Sequence, residues 1–154
     1  MSYLSENQPL GTPTWTDLGV PDLERALQFY GAVFGWDFEI GPDEYGRYTM
    51  CFLRGRRVAA ISEMQDPSTR GFWNVYLATD DVDATAAKVE EAGGKVEAGP
   101  FDVMEHGRMV AIQDPTGARV SLWQARKHIG TARANEPGTP IWNELVTPMP
   151  RMSP

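Results

Sequence analysis

A chain of 154 residues, 42% hydrophobic and 23% charged, has the composition of an ordinary globular domain. At that length it can bury roughly 68–70% of its unfolded surface. Its formal net charge of −7 argues against a nucleic-acid surface, and its single cysteine, Cys51, leaves no internal disulfide or cysteine zinc site. No run nears the ~20 apolar residues that span a bilayer. The opening MSYLSENQPLGTPTW lacks a basic segment followed by an apolar run, so no signal peptide and a cytoplasmic location are expected.

Residues 1–10 are polar and read as a flexible arm. Thr14–Val20 alternates and is rich in β-formers, which predicts a strand. Asp22 follows as a helix cap, with Leu23, Ala26, Leu27, Tyr30, Val33 and Phe34 at helical spacing and Gly35 as the terminator. Three strand-like runs come next, at 37–40, 47–53 and 58–62. The dense basic run Arg54-Gly55-Arg56-Arg57 reads as a turn between the last two. The second half has the same order: a strand over 72–79, a helix over 82–92 stopped by Gly93-Gly94, then strands at 95–98, 109–113 and 119–124. A β-α-β-β-β unit is therefore expected twice, at 11–63 and 71–125, within a module covering 11–126. A solvated linker, 127–137, is expected to follow.

The chain then begins again. GTPTWTDLGVPD at 11–22 and GTPIWNELVTPM at 138–149 share Gly, Thr, Pro, Trp, Leu and a second Pro at matching positions. Internal repetition sets architecture. Residues 138–154 are thus expected to hold the first strand of a partial second module, with strand character at 141–147. Unpaired, that strand is expected to dock on an edge or exchange with a second chain, giving a homodimer.

The paired units, with Val20-Pro21-Asp22-Leu23, Phe29-Tyr30, Phe34-Gly35-Trp36 and Asp114-Pro115-Thr116-Gly117, resemble the vicinal oxygen chelate superfamily. It includes glyoxalase I, extradiol dioxygenases and bleomycin-resistance proteins. In finer detail the chain resembles the N-terminal module of tandem-module actinobacterial members, glyoxalase-like proteins. The resemblance implies an α+β fold in which two βαβββ units pair into one curved mixed-sheet module, helices on the convex side, cupping a ligand.

In metal-dependent members His, Gln or Glu occupy four positions on the cup strands. Carried over by counting from the matching motifs, those positions are Trp15, Ala59, Asn74 and Ser121. Tryptophan and alanine cannot coordinate, and a divalent cation ordinarily needs carboxylate or imidazole. The two histidines, His106 and His128, lie outside the expected cup strands. No metal and no cofactor are expected.

Alternation along the strands places Trp15 and Asp17 on one face, Asn74 and Tyr76 on its counterpart, and Ser121 with Trp123 on the last strand. Ala59 and Ile61 complete the expected lining, with Tyr48, Met50 and Phe52 contributing from the strand between. Such a lining, mostly aromatic with sparse polar groups, suits a small hydrophobic or aromatic molecule. Filling of the cup or of a dimer interface by the same aromatics is the competing structural reading. For proton chemistry the candidates are Asp17 and the loop pair Glu105-His106. Cys51, flanked by Met50 and Phe52, is a poor nucleophile.

The leading functional expectation is a metal-free small-molecule binding protein. Two enzymatic alternatives stand beside it. One acts without metal on an aromatic or polyketide-like substrate through Asp17 or Glu105/His106, and the other is a glyoxalase- or dioxygenase-type metalloenzyme. A purely structural or regulatory module is the remaining alternative.

Overall fold

The computed structural model describes residues 3–148. Its elements run β1 (Pro13–Val20), α1 (Leu23–Phe34), β2 (Asp37–Glu39), a 3-10 turn (Asp43–Tyr45), β3 (Thr49–Leu53) and β4 (Arg56–Glu63). They continue with β5 (Phe72–Ala78), α2 (Val82–Glu91), β6 (Lys95–Val103), β7 (Gly107–Gln113) and β8 (Arg119–Ala125). The fold is α+β, with β-α-β-β-β occurring twice, as the alternating periodicities predict. No helix of the described residues is long and apolar enough to cross a membrane.

The chain divides into two compact units. The first takes in 3–6, 15–75 and 129–141. Its strands are ordered β2-β3-β4-β1, with β4 antiparallel to β3 and parallel to β1. Helix α1 starts where the Asp22 carboxylate accepts from the Arg25 amide at 3.1 Å, satisfying a donor that the first turn leaves open. It ends at Gly35, whose φ of 69° is the left-handed conformation glycine adopts without a Cβ clash. Between these caps Leu23, Ala26, Leu27 and Tyr30 face Leu18, Val20, Cys51, Leu53, Val58, Ala59 and Ile61. Each fully buried aliphatic side chain there contributes on the order of 1.5–3 kcal/mol.

The second unit takes in 7–14, 76–128 and 142–148 of the described residues. Its strands are ordered β5-β8-β7-β6, and β5 runs parallel to β8 just as β1 runs parallel to β4. Asp81 caps α2 by accepting from the Ala84 amide at 3.0 Å, and the Gln124 side chain accepts from Val82 N at 2.9 Å. Val82, Ala86 and Val89 then cover Val110, Ile112 and Leu122. The left-handed residue after this helix is Gly93, φ 83°, and Gly94 follows it in ordinary conformation. Strand β6 runs five residues past the expected end at Ala98, because register irregularities at Ala98 let pairing with β7 resume at Phe101.

Three expectations change. Tyr3 is not in a loose arm: it bridges Arg133, and the Arg133 guanidinium donates to its hydroxyl at 2.8 Å. Arg56 and Arg133 lie 4.3 and 4.8 Å from the Tyr3 ring centroid, a cation–π arrangement. The segment 127–137 is likewise no solvated connector, since Ala132 N donates to Arg57 O at 2.9 Å and Thr131 and Arg133 are buried. Finally, 141–147 forms no strand, and Ile141, Trp142, Leu145 and Val146 are exposed. It has the sequence of a strand without the neighbours of one. Residues 149–154, the rest of the expected partial module, lie outside the described residues.

Candidate functional site

In the first unit Leu18 and Val20 point into the core under α1, so strand alternation turns Trp15 and Asp17 to the opposite face. Both are nonetheless buried. Tyr48, which enters just ahead of β3, joins them. Trp15 Nε1–H donates to the Tyr48 hydroxyl at 2.9 Å, and that hydroxyl donates to Asp17 Oδ2 at 3.0 Å. Three of the expected ligand-binding residues thus form one hydrogen-bonded row. Register extends the same face: Asp17 stands opposite Ala60, and Ala60 opposite the half-buried Met50. Asn74 is half-buried on β5, and its carbonyl accepts from Thr16 Oγ1 at 3.0 Å.

Ala59 does not share this face. It packs with Ile61 in the core cluster beneath α1, and Ala60 holds the position expected for it. A β-bulge is the cause. Cys51 pairs Ala59 while the next residue, Phe52, pairs Arg57, so Val58 is an extra residue in β4. One inserted residue moves every later side chain to the other face. The β7–β8 ladder runs from Gln113–Arg119 to Gly107–Ala125 without such a shift, so counting by symmetry from Ser121 fails by one position.

In the second unit Tyr76 pairs Ser121 and Ala78 pairs Trp123, confirming their common face opposite Leu77 and Leu122. Tyr76, Ser121 and Trp123 are buried. The Tyr76 and Trp123 rings meet edge to face at 6.3 Å, and Trp123 Nε1–H donates to His128 O at 2.7 Å. Gly107 makes room for this indole, since a Cβ there would collide with the Trp123 ring.

Glu105 and His106 occupy the β6–β7 turn, with Glu105 exposed. Glu105 lies 3.6 Å from Lys127. Its own backbone amide, then Lys127 and His106, hold its carboxyl below the usual carboxylate range. An exposed carboxylate made less basic by a hydrogen bond and nearby cations is a weak proton acceptor. Cys51 lies in the α1 core, where burial pushes its thiol up to about 12, so a thiolate nucleophile is excluded near neutral pH.

Trp15 and Ala60 carry no side-chain atom that can ligate a divalent cation. Of the positions carried over from metal-dependent members, Trp15, Asn74 and, with the register corrected, Ala60 belong to the first unit, and Ser121 belongs to the second. Trp15 offers only an N–H, already directed at Tyr48, and Ala60 offers nothing. Among the described residues no group of three or more His, Cys, Asp or Glu is arranged to hold a metal ion.

The model of the Glyoxalase/Bleomycin resistance protein/Dioxygenase superfamily matches residues 12–122. The "Putative glyoxylase CFP32" of Mycobacterium tuberculosis is 47% identical over 148 residues, which cover 93% of this chain and 57% of that protein. The anthracycline biosynthesis protein DnrV of Streptomyces peucetius is 38% identical over 152 residues, covering 89% of this chain and 55% of DnrV. The chain therefore spans little more than half the length of these relatives. The crystal structure of methylmalonyl-CoA epimerase from Mycobacterium tuberculosis shares the fold, with a TM-score of 0.54 at 18% identity over 78% of this chain and 91% of that one.

Proposed function

We propose that this chain, which belongs to the Glyoxalase/Bleomycin resistance protein/Dioxygenase superfamily, is a small-molecule binding module that holds a hydrophobic or aromatic ligand without a metal ion. The hydrogen-bonded row Trp15–Tyr48–Asp17 carries this reading. It places two aromatic rings and one carboxylate on the face away from α1. An aromatic wall with a few fixed polar groups is the usual make-up of a small-molecule site. The relatives named for anthracycline biosynthesis support a polycyclic aromatic ligand class.

A titration followed by NMR tests the reading. The Trp15 indole N–H signal, assigned with Trp15→Phe, is expected to shift saturably as naphthalene derivatives are added. A response confined to the exposed Trp142, or none, overturns it.

The Tyr48–Asp17 bond also favours a second reading, proton transfer without metal. Asp17 would accept the Tyr48 proton while Tyr48 takes one from the ligand, a path that the 3.0 Å separation permits. Asp17→Asn should then abolish turnover while binding is retained. Loss of both together would return the row to a purely binding role.

A further inference from the structure

We propose that the outer face of α1 is the docking surface for residues 141–147 of a second copy of this chain, with Glu144 of one copy set on Arg25 of the other. A helix on a globular surface ordinarily turns polar side chains outward. Helix α2 does so. Counted from the capping aspartates Asp22 and Asp81, it places Lys88 and Glu91, both exposed, where α1 places Phe29 and Ala32. On the first unit Phe29, Val33, Phe34 and Trp73 are all exposed. Tyr30 ties the rings together, meeting Phe29 at 5.0 Å, Phe34 at 6.1 Å and Trp73 at 5.7 Å between centroids. A contiguous apolar patch of this kind marks an interaction surface.

Charge and spacing select the occupant. Arg25, Phe29 and Val33 recur at four-residue steps, about 6 Å apart along the helix axis. In extended form Trp142, Glu144 and Val146 share one side of their segment at steps of about 7 Å, an acid between two apolar side chains. Among the described residues neither the Arg25 guanidinium nor the Glu144 carboxylate has an ion-pair partner. With Glu144 on Arg25, Trp142 falls over Phe29, and each covers apolar surface that the single chain leaves exposed. The segment's own chain holds it elsewhere. Thr147 Oγ1 donates to Thr116 Oγ1 at 2.6 Å, and from Trp142 onward the described residues group with the second unit. Two copies that exchange the segment make the same contact twice, which closes the assembly at a dimer.

Sedimentation equilibrium of the whole chain tests this. Phe29→Asp is expected to weaken dimerisation at least about tenfold. Lys88→Asp, at the matching exposed position of α2, should leave it unchanged. Arg25→Glu and Glu144→Arg should each weaken it about three- to tenfold, and the two together in one chain should restore it. Should Phe29→Asp fail to fold, the charge exchange decides alone. A monomer at every concentration, or a dimer indifferent to Phe29→Asp, overturns the proposal. A dimer that Phe29→Asp breaks but the charge exchange does not rescue gives the face to another occupant, and overturns the assignment of 141–147.

Discussion

The two copies of Gly-Thr-Pro-x-Trp-x-x-Leu begin alike and end differently. In the first, Thr12 N donates to Pro9 O at 3.0 Å across Gly11, φ 78°, and in the second Thr139 N donates to Glu136 O at 3.1 Å across Gly138, φ 81°. Each is a turn whose third residue must adopt positive φ, which glycine does without strain. Beyond the turn they part. The first copy becomes β1, paired from Asp17 to Val20 with β4, while the described part of the second forms no strand. Trp15 is 6% exposed and Trp142 81%; Leu18 is 6% exposed and Leu145 61%. Local sequence therefore specifies the turn, and neighbouring strands specify the strand. β-propensity is chiefly fitness for a packed, pleated surface.

The largest effect expected from this contrast comes from truncating the paired tryptophans. Trp15→Ala should cost about 3–5 kcal/mol in denaturant unfolding, since it removes a buried aromatic and the indole N–H bond to the Tyr48 hydroxyl. Trp142→Ala should stay within about 0.5 kcal/mol. Similar losses for the two variants would mean that Trp142 is covered in solution.

Cover can come from a second chain, and this sharpens the comparison. The segment 141–147 carries four exposed apolar residues and lacks a strand partner. Light scattering over a concentration series is expected to show a dimer that disappears when residues 141–154 are removed. The cut belongs after Pro140 because Gly138 O accepts from Trp36 Nε1–H at 2.7 Å, a contact the first unit keeps. A monomer at every concentration would leave the second copy unpaired in this chain.

How much could be read from the sequence follows the same division. Asp22 and Gly35 announce the ends of α1, and Gly93 the end of α2, because a cap is a local event. The faces of Tyr76, Ser121 and Trp123 were legible because the β7–β8 ladder runs without interruption. Ala59 was misplaced because the extra residue at Val58 shows only when β4 is laid against β3. That Tyr48 would bond both Trp15 and Asp17 was equally hidden, since it joins positions 31 and 33 residues away. Alternation gave the face, and the tertiary pairing made it a row. The docked Tyr3 and Arg133 escaped because polar composition reads as loop whether or not a guanidinium finds a ring.

A smaller effect separates the two glycines. Alanine at Gly11 or Gly138 faces the same left-handed strain, of order 1–2 kcal/mol. A Cβ at Gly11 meets nothing within 4 Å, whereas at Gly138 it comes within 3.2 Å of Leu53 Cδ2 and 3.5 Å of Phe34 O. Gly138→Ala should therefore be the more destabilising of the two, despite its place in the copy that forms no strand. Equal losses would indicate that the turn around Gly138 shifts freely off Leu53.

The mildest probe uses Cys51, which packs in the same cluster as Leu18 of the first copy. Its thiol is raised from an ordinary 9.0 to about 12 by burial. The native state therefore keeps the proton between those values while the unfolded chain releases it. Unfolded molecules bind fewer protons there, so stability falls as pH rises above 9.0. At one pH unit above that value the loss is roughly 1 kcal/mol. Cys51→Ala should lack this alkaline decline, whatever the substitution costs at neutral pH. Urea midpoints for both proteins across pH 8 to 10 isolate the thiol, because tyrosine ionisation is common to the two. If the curves stay parallel, Cys51 meets solvent in the native state, and the core closed by the first copy is looser than its neighbours imply.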